Sequence, residues 1–305
     1  MGIPLTGRTT AVSDSGNSIV WPRVLDADSG EYFAVQRDGS KGRLVTGPMP
    51  ADLSRYYSDT YHGNRHGFTA RYCDRRRLSI IRRAVSGLQS VRWLDVGCGD
   101  GTLLQSGATA GWQVHGVEMQ PDLARSKGLT VYSSLQQASQ KGPFDVITLW
   151  HVLEHLTEPD NDLQLISNLL SPHGKLIVAV PDAGCLAARW FGPHWLHWDV
   201  PRHVTHFEAS TLTQIMIDHS YQVQQLSRSE FEYDLMGFAQ SALNALGFER
   251  NLFFKLLTKR PNKTSLPIRA VNYVLGGALC AIAALPIGLA GRLGKGGTLI
   301  FQAHR

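Results

Sequence analysis

The chain has 305 residues, 43% of them apolar and 18% charged, with a formal net charge of +5. That supplies one large domain with an insertion, or two small ones. The mild basic excess suits an acidic ligand, a nucleic acid or an anionic lipid surface without choosing among them. Cys73, Cys98, Cys185 and Cys280 form no CxxC pair, which argues against a zinc ribbon and a disulfide framework and for a reducing compartment. Residues 1–17 lack a charged-then-apolar layout, so no secretory signal is expected and the cytoplasm is the expected location.

Residues 1 to about 50 are rich in Gly, Ser, Asp and Pro. A strand-like piece, Tyr32-Phe33-Ala34-Val35, precedes the turn signals Asp38-Gly39 and Gly47-Pro48. Residues 1–68 are therefore expected to form an N-terminal appendage, closing on the aromatic cluster Tyr56, Tyr57 and Tyr61. A basic helix follows over about 69–88, with Arg71, Arg75, Arg76, Arg77, Arg82 and Arg83. It reads first as a solvated face, and second as a contact for acidic lipid or nucleic acid.

From residue 91 strands and helices alternate. Apolar runs at 91–96, 113–117, 130–132, 145–150 and 175–180 are separated by helical segments near 102–110, 121–127 and 160–170. A helix at about 209–219 leads to a sixth strand at 221–226, and a last strand is expected at 298–303. Short buried runs between helices indicate a parallel sheet covered on both faces.

The segment Leu94-Asp95-Val96-Gly97-Cys98-Gly99-Asp100-Gly101-Thr102 reads as strand, tight turn, helix. Such a turn opens onto the ligand crevice of a parallel sheet. A dinucleotide loop needs a third glycine where Thr102 stands. The acid at Asp95 disfavours a pyrophosphate and favours a cationic sulfonium with its α-amino group. The loop thus prefers S-adenosylmethionine over NAD. Glu118, 17 residues after Gly101, ends the second strand, where a carboxylate can accept both ribose hydroxyls. It can alternatively cap the helix starting near Pro121.

Together with Phe144-Asp145-Val146-Ile147 and Leu153-Glu154-His155-Leu156, these motifs resemble class I S-adenosylmethionine-dependent methyltransferases. The resemblance is to the bacterial branch of ubiquinone-biosynthesis O-methyltransferases and polysaccharide-locus enzymes, over about 56–231 plus the last strand. It implies an α/β Rossmann-like doubly wound sheet of seven strands with the last antiparallel. It also implies a cofactor site of Asp95, Gly97, Cys98, Gly99, Gly101, Glu118, Met119, Leu135 and Trp150. Some relatives carry a cysteine-rich zinc module before the tyrosine cluster; this chain has no cysteine there.

Methyl transfer to a hydroxyl needs alignment and a base. His155, in Trp150-His151-Val152-Leu153-Glu154-His155, is one base candidate. By resemblance Glu154 is a candidate ligand for a divalent metal, although Glu plus His is an incomplete set and no metal is predicted. The second cluster, Trp195 to Phe207, contains Asp-x-Pro-Arg-His-x-x-His-Phe. His203 is its base candidate, and His151, Trp198, Asp199 and Arg202 are the expected acceptor contacts. The alternative is that Asp199, Arg202 and His206 pin a long loop.

Residues 232–293 break the alternation between the core segments 69–231 and 294–305. The run 271–290 carries no charge and is long enough to cross a bilayer, yet a single crossing would strand the last strand on the far side. It is expected to be buried, broken into a hairpin, or laid on a membrane, and the apolar insertion 232–293 to serve as membrane contact or as a lid over a hydrophobic acceptor. Leu252–Leu257 with Lys255, Lys259, Arg260 and Lys263 resembles an interfacial helix. The expected function is O-methylation of a small or lipid-linked acceptor, a quinone precursor or sugar. Partners include a membrane surface through 251–293, on the inner face, or a second copy; nucleic acid is not expected. An inactive membrane-associated scaffold and an NAD-dependent oxidoreductase are the rival readings.

Overall fold

The computed structural model describes residues 17–57 and 68–305. Tyr61 and the first sixteen residues, with the leader reading, lie outside the described residues. In chain order the described strands are β1 (Ser18–Leu25), β2 (Tyr32–Arg37), β3 (Leu44–Gly47), β4 (Arg92–Val96), β5 (Gln113–Val117) and β6 (Thr130–Tyr132). β7 (Phe144–Trp150), β8 (Leu170–Pro181), β9 (Thr205–His206), β10 (Gln222–Ser227) and β11 (Thr298–His304) follow. The helices are α1 (Phe68–Ala84), α2 (Thr102–Thr109), α3 (Asp122–Arg125), α4 (Leu135–Ala138) and α5 (Pro159–Leu169). α6 (Leu186–Phe191), α7 (Ala209–Asp218), α8 (Phe231–Ala245), α9 (Leu252–Leu257) and α10 (Leu266–Arg292) complete them.

The main sheet runs β10-β11-β8-β7-β4-β5-β6. Neighbours from β8 to β6 are parallel, while β11 is antiparallel to both β8 and β10. Helices cover both faces, so the central strands bury both sets of alternating side chains. Trp93, Val146, Ile177 and Ile300 pack on one face with Ile81 and Leu104. Leu94, Ile147, Val178 and Phe301 pack on the other with Leu163, Ile166 and Leu212. The expected doubly wound sheet with an antiparallel last strand is what forms.

Three differences from the sequence reading matter. First, the appendage is stitched to the core: β1-β2-β3 form a second sheet that ends on β9, with Leu44 opposite His206 and Val45 opposite Thr205. Second, α1 is only half a solvated face. Arg71, Arg75, Arg82 and Arg83 are exposed, but Cys73, Arg77, Ile80 and Ile81 line a buried stripe. Third, the apolar run is neither buried nor a hairpin. It is one 27-residue helix, unbroken by Gly276, Gly277 or Pro286, with most of its surface outside the protein.

Candidate functional site

The carboxyl ends of β4, β5 and β7 meet at one edge of the sheet. The loop from β4 to α2 begins there. Gly97, Gly99 and Gly101 have φ of 72°, 55° and 75°, a left-handed region that a Cβ disfavours. Sterics divide them. A Cβ on Gly97 would lie 2.3 Å from Val152 Cγ2, and one on Gly101 would lie 2.4 Å from Leu129 Cδ1. One on Gly99 would meet nothing within 4 Å. Gly99 is thus the point where a ligand can approach bare backbone.

Carboxylates flank this opening. The Gly99 N–H donates to Glu118 Oε2 at 2.9 Å, and the Gly97 N–H donates to the Val117 carbonyl at 2.7 Å. Strand β5 therefore sets the loop and its acid together. Asp95 lies buried beneath, where Oδ1 accepts the Thr148 hydroxyl at 2.5 Å. Trp93 Nε1 donates to the same Thr148 oxygen at 2.8 Å, which fixes that hydroxyl's direction. The donor set fits S-adenosylmethionine: an open glycine backbone, one acid for ribose hydroxyls, and a buried acid for a cation. Of the other expected contacts, Met119 is exposed and Trp150 is buried at the end of β7. Leu135 is packed in the core behind the Ser134 cap. The Cys98 thiol faces Gly116 and the core, and burial, reinforced by Asp95, pushes its pKa up. Cys98 offers the site its backbone only.

Beside the cradle sits a buried ionic cluster. His151 follows β7 at φ 56°, its N–H donating to the Ala179 carbonyl at 2.8 Å. Its Nε2 is 2.6 Å from Glu230 Oε2, and its ring stacks on Tyr233 at 4.4 Å. Glu230 is fully buried and also receives Arg76 Nη2 at 2.5 Å and Arg77 Nε at 3.4 Å. The Arg77 guanidinium lies over Trp150, 5.1 Å from the ring centre. Burial opposes a charge on His151, but the Glu230 carboxylate outweighs it and raises the pKa to about 10. His151 is an imidazolium at neutral pH, which suits positioning rather than proton removal. The sequence reading missed Arg77, Glu230 and Tyr233. Only the buried stripe of α1, with Cys73, Arg77 and Ile81 four apart, carried a trace of the first.

Glu154, His155 and His203 form a third group, their ligand atoms all within 4.8 Å of one another. Both Glu154 oxygens are buried without a hydrogen bond, but Oε1 pairs with the His151 imidazolium at 3.6 Å; with His155 and His203 the carboxylate also forms a candidate ligand set for a divalent ion. His155 Nδ1 lies 3.1 Å from the Arg202 carbonyl and 3.2 Å from the Tyr57 hydroxyl. A carbonyl only accepts, so Nδ1 carries the hydrogen and Nε2 the lone pair. Burial and then the charge of His203 lower the His155 pKa to about 4. The two rings meet edge to face at 4.5 Å, and His203 Nδ1 donates to the His197 carbonyl at 2.9 Å.

Of the remaining expected acceptor contacts, Trp198 and Arg202 are buried and Asp199 is half-buried, in the arrangement expected if the loop is pinned to the domain. Arg202 is 2% exposed and holds Asp26 at 2.7 Å, Asp199 at 2.7 Å and the Tyr56 carbonyl at 3.3 Å. Asp199 is held far below the ordinary carboxylate range by Arg202, against the effect of burial. Trp198 is buried with Nε1 donating to the Gly192 carbonyl at 2.8 Å, and His206 bonds Thr46 at 2.9 Å. These residues brace the N-terminal sheet, because buried charges must stay with their partners.

A methyltransferase-domain family model matches residues 64–226, which take in the glycine loop, Glu118 and both histidine clusters. The ubiquinone biosynthesis O-methyltransferase of Xanthomonas oryzae pv. oryzae (strain PXO99A) is 34% identical over 139 residues, covering 40% of this chain and 56% of that protein. The ubiquinone biosynthesis O-methyltransferase of Actinobacillus pleuropneumoniae is 37% identical over 116 residues, covering 33% and 50%. The chain thus spans about half the length of the curated relatives it matches. A solved methyltransferase structure from Galdieria sulphuraria shares the fold at 14% identity and a TM-score of 0.50, covering 77% of this chain and 85% of that one. With more than half of its residues matched by the family model, and the glycine loop, two acids and strand order that the cofactor demands, the chain belongs to the class I S-adenosylmethionine-dependent methyltransferases.

Proposed function

We propose that the protein transfers a methyl group to a hydroxyl oxygen of a small or lipid-linked acceptor, a quinone precursor or a sugar, at the cytoplasmic face of a membrane. One observation supports this reading: Gly97 of the glycine loop packs against Val152, in the turn after β7 that also carries His151, Glu154 and His155. The bound cofactor supplies an electrophilic methyl on a sulfonium. Glu118 would hold the ribose hydroxyls, Asp95 would offset the positive charge of the cofactor, and Trp150 would line the site at the end of β7. His155, neutral at pH 7, takes the acceptor's proton on Nε2 while Tyr57 and the Arg202 carbonyl fix its ring. His151 and Glu230 hold the adjoining wall in place. Alignment of acceptor oxygen and methyl supplies most of the rate.

S-adenosylhomocysteine is expected to raise the melting temperature of the intact protein, and Asp95→Ala to abolish that rise. No rise at millimolar ligand would refute the reading. Labelled-methyl transfer into lipid and quinone extracts, followed by mass spectrometry, then identifies the acceptor. Label recovered on nitrogen or carbon would exclude O-methylation.

A further inference from the structure

Helix α10 has the composition of a membrane helix in a fold that keeps it from crossing. One stripe packs on the protein. A Cβ on Gly276 would lie 2.4 Å from the Phe253 ring, one on Gly288 would lie 3.7 Å from Phe231, and one on Gly291 would lie 2.7 Å from Ser229 Oγ. Leu279 packs with Ala239 and Leu243 of α8 while Gly288 meets Phe231, so the helix runs antiparallel along α8, with its C-terminal end beside the residue that precedes Glu230. The chain then enters β11, an interior strand of the main sheet. Both ends of α10 are tied to one domain, so the helix, about 40 Å long, lies along the domain's flank.

The opposite face is apolar and uncovered. Leu266, Val271, Val274, Ile282, Leu285 and Leu289 are all exposed, Ile282 at 75% and Leu285 at 72%. A helix that faces water carries charged residues there, and α10 has only Arg269 and Arg292, near its ends. The charge distribution names the occupant. Residues 246–297 contain eight of the chain's 30 Lys and Arg but one of its 25 Asp and Glu. This segment carries +7, and the rest of the chain carries −2. Lys255 is taken by Asp28 at 2.7 Å. Lys259, Lys263, Arg292 and Lys295 flank the apolar face at its two ends. Basic residues bordering an exposed apolar helix complement an anionic bilayer surface.

We infer that α10 lies flat in the interfacial layer of an anionic membrane, its exposed face among the acyl chains and the flanking lysines and arginines on the headgroups. This deepens the proposed function and rests on it for purpose: Ser229, beside Gly291, adjoins Glu230, so a membrane-resident acceptor would meet the protein next to the site.

Flotation of the full chain with phosphatidylcholine vesicles, with and without phosphatidylglycerol, tests this. Binding is expected to be about tenfold tighter or more to the anionic vesicles and to weaken with salt. The double variant Ile282→Glu, Leu285→Glu is expected to stay in the soluble fraction while keeping its melting-temperature rise with S-adenosylhomocysteine. Failure to float with either vesicle, equal binding to both, or a dimer in solution that does not float would overturn the inference. Asp95→Ala separates the two proposals: it is expected to lose the ligand response and still float.

Discussion

Two glycines of one loop are expected to fail in different ways when given a methyl group. Gly97→Ala and Gly99→Ala both force a Cβ into the left-handed region, at about 1–2 kcal/mol. At Gly97 the new Cβ also meets Val152 Cγ2 at 2.3 Å. Val152 is stiff about χ1 and is followed by the fully buried Leu153, so overpacking adds about 1–3 kcal/mol. At Gly99 no contact lies within 4 Å, and strain is the only folding penalty. The ligand response reverses the order of interest. At a hundredfold excess over Kd, S-adenosylhomocysteine stabilises the native protein by about 2.7 kcal/mol. Gly99→Ala fills the approach to the loop backbone, so it is expected to fold well and lose nearly all of that gain. Urea midpoints with and without ligand measure both quantities. A full ligand response in Gly99→Ala, or a larger stability loss there than in Gly97→Ala, would refute this division of the loop.

Other perturbations test the buried charges. Glu230→Gln leaves Arg77 buried without its anion and is expected to destabilise by about 3–5 kcal/mol; a urea-midpoint loss below about 1 kcal/mol would contradict the pairing. Arg202→Met strands Asp26 and Asp199 and is expected to open residues 17–57 to limited proteolysis before the core, whereas unchanged cleavage would remove Arg202 as the brace. His155→Gln is expected to lower turnover by about 10²–10⁴ with the ligand-induced melting shift intact; unchanged turnover would exclude His155 as the base. The urea midpoint is also expected to peak near pH 6.5. His155 and His197 titrate at about 4 when folded and near 6.5 when unfolded, so the unfolded chain binds more protons on acidification, and each removes about 1.4 kcal/mol per pH unit. His151 keeps its proton up to about 10, so stability falls again as pH rises above 6.5. A midpoint that climbs steadily from pH 6.5 to 9 would contradict the His151–Glu230 assignment.

The main sheet was legible because parallel strands buried on both faces become short unbroken apolar runs, as in Trp93-Leu94 and Val146-Ile147. The glycine loop and Glu118 were legible because a tight turn and a strand-end acid are local features. What escaped was long-range. Arg202 meets Asp26 across 176 positions, and Arg77 meets Glu230 across 153. Nothing in the local spacing of Asp199, Arg202 and His206 distinguishes a brace from an acceptor pocket; the partner's position decides, and only the fold supplies it. The arginines of α1 misled for a similar reason. Composition marks the helix as basic, but Cys73, Arg77 and Ile81 fall on its buried side. In α10 a hairpin was one expectation, yet the helix runs through Gly276, Gly277 and Pro286 unbroken, and Gly276 provides the close approach to Phe253 that seats it.

The interior position of β11 has a consequence for how the protein is made. Its ladder partners β8 and β10 are synthesised well before it, and all of α10 comes between. Until β11 arrives, β8 and β10 each present an open row of backbone donors and acceptors. Such unpaired edges are templates for wrong pairing between nascent chains. One late strand therefore closes two edges at once, so a defect in β11 leaves both β8 and β10 open to pairing with another chain.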